Sequence, residues 1–369
     1  MRQPPERIQR LPEQYFTALL ARVAAAAAAE GEPLVDLGRG NPEVGPPEHV
    51  VRALAESAAR PDVHGYAPFA GLPALKDAIA TRYRELYGVE LDPTREVAVL
   101  PGTKTGLMEF ALCAVERGGT IVLPDPGYPD YFSAVALAGA KLLGSDPFGV
   151  RPLPSGDALY LNYPSNPTAA AAPDGVFEEA VAWARSNDAW VLHDFAYGDL
   201  VFDGRRPQSF LAADGAREVG IELFSMSKSY GMAGWRLGFA LGNAELVRRI
   251  ESVQDHAFAG IFRPVQEAGI AALTGPQDSV AQRRTTYERR RDRALGVLQG
   301  HDARSEGTFF VWFRLPEGIT VERLLVERRV AVAPGEGFGA RGAGWARLSL
   351  AVADETLELG LERLRAGLD

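Results

Sequence analysis

Cysteine and lysine are both scarce in this sequence. The 369 residues contain one cysteine, Cys113, and only four lysines among 39 lysines and arginines. A single cysteine excludes an internal disulfide framework and is typical of proteins kept in a reducing compartment. Because arginine is the basic residue almost everywhere else, each retained lysine calls for a specific explanation. The four lysines are Lys76, Lys104, Lys141 and Lys228.

Long apolar runs and an excess of positive charge are also absent. No run approaches the roughly 20 apolar residues that a membrane-spanning helix needs. The alanine run at 24–29 follows Arg22 and is closed by Glu30, which favours a helix over a secretory signal. The net charge of -9 and the pI near 5.3 argue against a general nucleic-acid surface. We therefore expect a cytoplasmic protein without a membrane or nucleic-acid partner.

From about residue 95 the chain alternates between strand-like and helical segments. This alternation predicts an α/β fold with a mainly parallel sheet between helices. After a helical pattern over 264–300, strand-like segments at 308–315 and 345–352 predict a smaller α+β unit. We expect an N-terminal arm with part of the small domain at 1–45, a large domain at 46–258, and the rest of the small domain at 259–369.

The most informative stretch is 222–239, where an apolar strand leads into a turn rich in hydroxyl groups and glycine. It carries Ser225 and Lys228, and then Arg236 among three glycines. A lysine whose environment favours the neutral amine can capture a carbonyl as a Schiff base. Hydroxyl groups beside an arginine suit a phosphate. Together these features describe a site for pyridoxal 5'-phosphate (PLP).

Two other interpretations of this stretch remain open. Ser225 and Lys228 have the spacing of the nucleophile motif of penicillin-binding proteins and β-lactamases, and residues 104–106 match their Lys-Thr-Gly motif. The two motifs occur here in reversed order, however, and no Ser-Asp-Asn is present. The other alternative is a lysine side chain that lies along the surface of a loop.

Several further polar residues directly follow predicted strands. Because parallel strands present their carboxyl ends at one edge of the sheet, these residues should converge on a common site. A helix that begins after the Gly102 turn is typical of a phosphate cradle. Asp194 has a second interpretation as the cap of a following helix. The residues of this set are Thr103, Tyr128, Asn166, Asp194, Tyr197 and Lys228.

Two features of the C-terminal third bear on ligands. Arg347 occupies a strand that should be buried, so it needs an anionic partner, either a substrate carboxylate or a structural salt bridge. Residues 337–342 match the G-x-G-x-x-G pattern, but a strand rather than a helix follows them, which argues against a dinucleotide site. The sequence indicates no metal site.

Several motifs of this chain resemble one known family, the class I/II PLP-dependent aminotransferases of fold type I, and the resemblance covers nearly the whole chain. The most specific motifs are Asn166-Pro-Thr168, His193-Asp-Phe-Ala-Tyr197 and the stretch from Ser225 to Gly238. Other segments are similar to a bacterial subgroup that includes transaminases of methionine salvage and of alanine or diaminopimelate metabolism. Those segments are Leu11-Pro-Glu-Gln-Tyr-Phe16, Gly40-Asn-Pro42 and Pro124-Asp-Pro-Gly-Tyr-Pro-Asp-Tyr131.

The resemblance implies a role for each matching residue. Lys228 would hold PLP as a Schiff base and move the α-proton of the substrate, and Asp194 would pair with the ring nitrogen. Tyr128 would stack on the ring, and Asn166 and Tyr197 would bind its phenolic oxygen. The residues that would bind the phosphate are Gly102, Thr103, Lys104, Ser225, Arg236 and, from the neighbouring subunit of a homodimer, Tyr66. The residues that would bind the substrate are Arg347, Asn166, Tyr15 and the backbone of Gly40.

The resemblance also implies a reaction. An amino group would pass between an L-amino acid and a 2-oxo acid by a ping-pong mechanism, and a PLP-dependent C–S β-lyase on the same fold is the alternative. We expect Tyr15, Phe16, Phe309 and Phe338 to wall an apolar pocket. Such a pocket favours a thioether, aliphatic or aromatic side chain over a dicarboxylate.

The chain departs from the family pattern at three places. Ala169 stands where glycine usually follows Asn-Pro-Thr, and the connection between Pro147 and Leu159 is short. Arg263 stands where small polar residues are commoner. We hypothesise that Arg263 lies near the cofactor of the partner subunit.

Overall fold

A computed structural model of the protein describes residues 3–146 and 153–368. The start of the connection between Pro147 and Leu159 therefore lies outside the described residues. The strands are β1 Val35–Asp36, β2 Val97–Leu100, β3 Thr120–Pro124, β4 Lys141–Ser145, β5 Ala158–Asn162, β6 Trp190–Phe195, β7 Gly220–Ser225, β8 Gly238–Gly242, β9 Ala303–Arg304, β10 Phe310–Arg314, β11 Val330–Ala331, β12 Ala333–Pro334 and β13 Trp345–Ser349. The α-helices are α1 Glu6–Gln9, α2 Tyr15–Ala28, α3 Glu48–Ala58, α4 Pro73–Tyr87, α5 Thr103–Ala114, α6 Asp130–Ala138, α7 Val176–Asn187, α8 Ala216–Val219, α9 Met226–Ser229, α10 Ala244–Ala257, α11 Arg263–Thr274, α12 Asp278–Val297, α13 Val321–Glu327 and α14 Asp354–Leu368.

A seven-stranded sheet forms the centre of the large unit, with the strand order β2-β8-β7-β6-β5-β3-β4. The run from β7 to β4 is parallel, and β8 is antiparallel to both of its neighbours. The predicted α/β class with a mainly parallel sheet is therefore confirmed. The sequence patterns did not predict β4 or the antiparallel β8, which follows the glycines of the lysine stretch.

Helices cover both faces of this sheet. Alternate side chains of a strand point to opposite faces, so one strand can contribute to two apolar clusters. In β2, Val97 and Val99 join the apolar cluster formed with α4, α7 and α11, whereas Ala98 and Leu100 join the cluster formed with α5, α6 and α10. Every residue of β2, β5, β7 and β8 is buried. Such continuously apolar strands are typical of a sheet that is covered on both sides.

The C-terminal third forms a smaller antiparallel sheet with the order β12-β13-β10-β9. Near it, β1 from the N-terminal region pairs in parallel with β11, with Val35 opposite Val330. Helix α2 packs on the same part of the molecule, where Leu19 and Val23 cluster with Trp312. These contacts agree with a small unit built from both ends of the chain, although the domain boundaries themselves stay predictions.

Most of the range 264–300, which was predicted to be helical, is helical, but it forms two helices. Helix α11 ends at Thr274, and α12 begins at Asp278. Pro276 lies between them, and a proline has no backbone N–H to donate and disfavours helical geometry in the residue before it. Among the described residues, no helix combines the length and the apolar character needed to cross a bilayer.

Candidate active site

A cavity of about 530 Å³ lies at the edge of the seven-stranded sheet where the parallel strands end. Its walls come from the segments after β2, β3, β5, β6 and β7, together with β13 and the N-terminal part of the chain. The structure brings most of the predicted site residues together here, while their individual roles stay predictions. The predicted residues that line the cavity are Gly40, Thr103, Lys104, Tyr128, Asn166, Asp194, Tyr197, Ser225, Lys228, Arg236 and Arg347.

Lys228 lies on the short helix α9, immediately after β7. The Ser225 hydroxyl caps this turn by accepting a 3.2 Å hydrogen bond from the backbone N–H of Ser227. The Lys228 Nζ donates a 2.9 Å hydrogen bond to the carbonyl oxygen of Gly40. It also lies 5.2 Å from the centre of the Phe309 ring. The lysine amine is therefore held at the cavity wall and does not lie along a loop surface.

The environment of Lys228 favours its neutral amine. Burial is the main cause that lowers the pKa of Lys228, from 10.5 to about 7, and the nearby Arg347 and Arg236 cations lower it further while Asp194 opposes them. A buried ammonium loses its hydration, which destabilises the charged form. Near neutral pH a substantial share of Lys228 is thus unprotonated and able to act as a nucleophile.

Asp194 lies at the end of β6 and is 5% exposed. Its carboxylate accepts a 2.8 Å hydrogen bond from the Tyr131 hydroxyl and a 3.2 Å bond from the N–H of Ala196. Burial raises the pKa of Asp194. A turn rather than a helix follows, so the bond from the Ala196 N–H caps a turn and no helix. Among the described residues no cation forms an ion pair with this carboxylate, which leaves it suited to a cationic ligand.

The end of the cavity that was predicted to bind the phosphate is built around the start of α5. Gly102, with a φ of 88°, precedes the first helical residue Thr103. A Cβ atom on Gly102 would lie 2.1 Å from the Arg236 Nη2, so only glycine lets the arginine approach this turn. Free N–H groups of a twelve-residue helix and a guanidinium thus face the same place. Lys104, also at the cavity, is paired with Asp130 at 2.9 Å.

Arg347 is fully buried on β13 and lines the same cavity. Its Nη1 donates a 2.7 Å bond to the Asn166 Oδ1, and its Nη2 donates a 3.0 Å bond to the carbonyl oxygen of Gly38. The Phe310 ring lies 3.9 Å from the guanidinium carbon. The Nε atom has no hydrogen-bond partner within the described ranges. No described carboxylate pairs with Arg347, so the prediction that Arg347 forms a structural salt bridge is wrong.

Three predicted site residues are absent from the cavity lining: Gly102, which precedes α5, and the two tyrosines Tyr15 and Tyr66. Tyr15 donates a 2.8 Å hydrogen bond to the carbonyl oxygen of Pro334 and packs against Phe338. Tyr66 is 88% exposed and lines a separate surface depression that also includes Phe262. A tyrosine this exposed has no role within its own subunit's cavity.

The apolar wall differs in part from the predicted one. Phe16 lines the cavity as predicted, but Phe309 and Phe338 pack behind it. Phe310 lines the cavity instead, together with three α2 residues in addition to Phe16. The spacing of the α2 residues is that of one helix face, a signal that could have identified them. The α2 residues that line the cavity are Phe16, Leu19, Leu20 and Val23.

Asn162 and the segment before Gly40 were also missed by reasoning from the sequence. The Asn162 amide donates to the backbone carbonyl of Asp194 at 2.8 Å and accepts from the Asn166 N–H at 2.7 Å, so it ties the ends of β5 and β6 together. Asp36 and Arg39 line the cavity as an ion pair. No sequence signal distinguishes these residues from ordinary strand-end polar side chains.

Arg263 begins α11 and is held within its own chain. Its Nε lies 2.8 Å from the Glu267 Oε1, and its Nη1 lies 3.7 Å from the Asp62 Oδ2. Glu267 is paired with Arg60 as well. The hypothesis that Arg263 serves a partner's cofactor therefore stays a prediction, and these carboxylates offer a simpler reason for its charge.

Comparison with known proteins gives consistent matches over the whole chain. A family described as Aminotransferase class I and II matches residues 32–145 and 150–364. The chain is 43% identical over 376 residues to the L-glutamine--4-(methylsulfanyl)-2-oxobutanoate aminotransferase of Bacillus subtilis, which covers 97% of this chain and 94% of that protein. It is 40% identical over 382 residues to the LL-diaminopimelate aminotransferase of Moorella thermoacetica, covering 98% of each. The solved structure of substrate-bound BacF from Bacillus subtilis superposes with a TM-score of 0.91 at 35% identity, over 99% of this chain and 98% of that one.

Proposed function

Because this chain belongs to the class I and II aminotransferase family and is a PLP-dependent aminotransferase, we propose that Lys228 binds the cofactor aldehyde and that Asp194 faces its ring nitrogen. The C–S β-lyase alternative finds no support among these relatives. The residues of the cavity fit the group. They offer an amine with a lowered pKa, a buried carboxylate without a cationic partner, and a helix start beside Arg236 for the phosphate.

The remaining cavity residues have complementary tasks. When bound, PLP supplies an electron sink that stabilises negative charge at the substrate Cα. Asn166 and Tyr197 hold the phenolic side of the ring, and Tyr128 packs on its face. Thr103, Lys104, Ser225 and the backbone after Gly102 bind the phosphate together with Arg236. Arg347 and the backbone of Gly40 orient the substrate carboxylate, and the freed Lys228 amine takes the α-proton and returns it.

The observation that carries this assignment is the position of Lys228 relative to Arg347. Gly38 and Gly40 accept hydrogen bonds from the Arg347 Nη2 and the Lys228 Nζ, at 3.0 and 2.9 Å. A single short segment thereby fixes both the carboxylate anchor and the base. This fixed geometry would orient the Cα–H bond of a bound amino acid toward the base that removes the proton.

For the side chain of the substrate, we propose an apolar or thioether group. The α2 face and Phe310 give the cavity an apolar wall. One relative is named for L-glutamine and 4-(methylsulfanyl)-2-oxobutanoate, and this pair supports a thioether 2-oxo acid as the acceptor here. The amino donor and the acceptor would occupy the same cavity in turn, as a ping-pong reaction requires.

The test follows each half-reaction separately. Mixing the PLP enzyme with L-methionine alone should convert the cofactor absorbance to that of the pyridoxamine form, and 4-(methylsulfanyl)-2-oxobutanoate should restore it. The Lys228→Ala variant should bind the cofactor noncovalently and show neither conversion at a measurable rate. Conversion by Lys228→Ala at the wild-type rate would refute the assignment of the lysine.

We also propose that the enzyme is a homodimer in which Tyr66 binds the cofactor phosphate of the neighbouring subunit. Support comes from a group of exposed aromatic side chains around Tyr66, since apolar surface of this kind marks contact sites. They are Tyr66, Phe69, which lies edge-on to the Tyr66 ring, and Phe262, which lines the same surface depression. A cytoplasmic location stays a prediction from the sequence.

Mixed dimers test the shared site. Tyr66→Ala and Lys228→Ala homodimers should each be impaired, and their hybrid should regain activity because one of its two sites carries neither change. A hybrid no more active than the average of its parents would contradict a phosphate contact across the interface.

A further inference from the structure

One charged pair in the cavity has no part in the functions proposed above. Asp36 and Arg39 both line the cavity, with the Arg39 Nε 2.7 Å from the Asp36 Oδ2. The Arg39 side chain is 62% exposed, whereas Arg347 is fully buried. The Arg39 guanidinium therefore lies toward the open end of the cavity, and the less exposed Asp36 lies behind it. A substrate held by Arg347 would direct its side chain toward this end or toward the apolar wall.

The backbone around Arg39 is fixed on both sides. The carbonyl of Gly38 accepts from Arg347, and the carbonyl of Gly40 accepts from Lys228. The Asp36 Oδ1 accepts a 2.9 Å bond from the N–H of Gly38 and closes a tight turn. Arg39 is thus presented from a rigid segment, so its charge has a defined place despite its exposure.

The pair offers both donors and acceptors to a ligand. Only the Nε of Arg39 is engaged by Asp36, and within the described residues its Nη1 and Nη2 have no hydrogen-bond partner. Each Asp36 oxygen accepts one bond, and a carboxylate oxygen can accept a second. The pair is neutral as a whole, which makes it a poor site for a lone carboxylate because Asp36 would repel it. A primary amide, with one carbonyl and one NH₂ group, matches it.

We propose that Asp36 and Arg39 are specificity-determining residues that bind the terminal amide of an amino donor such as L-glutamine. Arg39 donates to the amide oxygen, and Asp36 accepts from the amide N–H. This inference rests on the transaminase function proposed above and deepens it. It explains how one cavity serves two unlike side chains in turn, with the amide on the charged pair and the thioether on the α2 face.

The experiment compares two donors of similar length, L-glutamine and L-methionine, with the holoenzyme and one common 2-oxo acid. Arg39→Met removes the donors and keeps an unbranched side chain that replaces the apolar stem of the arginine. The matched control is Arg248→Met, since Arg248 is 67% exposed, is paired three residues away with Glu245, and lies on α10 away from the cavity. A hydrogen bond to a charged group at an exposed site predicts a loss of about tenfold in kcat/KM for glutamine in Arg39→Met. The values for methionine should stay within about twofold, and the control should change neither.

A second variant tests the role of Asp36. Asp36→Asn keeps the oxygen that accepts from Gly38 and removes the negative charge, so it should raise kcat/KM for L-glutamate relative to L-glutamine. Equal losses of kcat/KM for L-glutamine and L-methionine in Arg39→Met would overturn the inference and leave the transaminase function standing. A wild-type enzyme that uses methionine but not glutamine would do the same. A wild-type enzyme that converts neither donor would instead remove the proposed function itself.

Discussion

The Arg347 guanidinium donates a 2.7 Å hydrogen bond from Nη1 to the side-chain oxygen of Asn166. Asn166 is also proposed to bind the phenolic side of the cofactor ring. In the proposed site this amide would join the arginine that binds the substrate carboxylate to the cofactor. Its oxygen accepts from Arg347, which turns its NH₂ group the other way. The carboxylate site and the ring site are consequently positioned together.

Replacing Arg347 by lysine should lower kcat/KM for amino donors by about 10- to 100-fold. Lysine keeps the charge but loses the planar fork that binds a carboxylate through two bonds, and a bond to a charged group contributes about 1.5–3 kcal/mol. Affinity for PLP should change little. Steady-state kinetics and cofactor titration measure the two effects. The matched control is Arg290→Lys, another buried arginine, which is held by Glu43 and Asp354 away from the cavity and should leave kcat/KM unchanged.

The capture of PLP by the cofactor-free enzyme should be half-maximal near pH 7. Only the neutral amine attacks an aldehyde, and the pKa of Lys228 is lowered to about 7, mostly by burial. The rate should therefore rise up to about pH 7 and level off above it, whereas an unperturbed lysine with a pKa of 10.5 would still gain rate up to much higher pH. Stopped-flow absorbance measures the rate. A midpoint above pH 9 would contradict a lowered pKa.

The same lowered pKa makes a prediction about the stability of the cofactor-free protein. Between pH 7 and 10.5 the unfolded chain holds a proton on Lys228 that the folded protein has lost. The contribution of this group to the free energy of unfolding therefore rises with pH across that window and is constant below it. Lys228→Met should remove this rise. The free energies of unfolding of wild type and variant, measured by urea titration, should therefore differ less at pH 10 than at pH 7.

Asp194→Asn should lower activity by at least about 100-fold, because removing a preorganised charge from a reacting group has effects of this size. The same substitution should not lower the stability of the folded protein. Burial raises the pKa of Asp194 from 3.8, so the ionised carboxylate destabilises the folded protein at all pH values above its folded pKa. The Asn variant keeps one oxygen that can accept from the Ala196 N–H, and its NH₂ group can donate to the Tyr131 hydroxyl oxygen. Its cofactor-free form should melt at the same or a higher temperature than wild type at pH 7, and a clear decrease would contradict this argument.

Much of the cavity could be predicted because its residues follow strands. Asp194 ends β6, and Lys228 lies three residues beyond β7. An apolar strand is easily identified in a sequence, and parallel strands must end at the same edge of their sheet. Position along the chain therefore determined position in space for these residues, and the lysine stretch identified the chemistry.

Residues brought to the cavity by long-range docking could not be predicted in the same way. Leu20 and Val23 line it because α2 packs against the C-terminal unit. Their spacing reveals that α2 has an apolar face, but nothing local in α2 specifies where that face docks. Tyr15 was expected at the substrate but points its hydroxyl to Pro334. Consecutive residues of an α-helix differ in side-chain direction by about 100°, so a correct helix with an unknown docking face gives only some of its contacts.

Ala169, which stands where the family usually has glycine, is held in a left-handed conformation. Its φ is 54°, and it is fully buried. The conformation is imposed by hydrogen bonds, since its carbonyl accepts from the N–H groups of Glu306 at 2.8 Å and Gly307 at 3.0 Å. A residue with a Cβ loses about 1–2 kcal/mol in this region. Burial of the methyl group returns about 0.8 kcal/mol, and the smaller backbone entropy of alanine in the unfolded chain returns about 0.5–1 kcal/mol.

These opposing terms nearly cancel, so Ala169→Gly should change the free energy of unfolding by less than about 1 kcal/mol. The matched control is Ala170→Gly, because Ala170 is equally buried but does not have a positive φ. The Ala170→Gly variant loses the buried methyl group, and its glycine has more backbone freedom in the unfolded chain. It gains nothing from removal of backbone strain, so it should destabilise the protein by about 1–2 kcal/mol. The urea midpoints of the cofactor-free proteins measure both changes. A large stabilisation by Ala169→Gly would mean that the methyl group gains little from its surroundings, and equal losses in the two variants would mean that the left-handed conformation at 169 carries no strain.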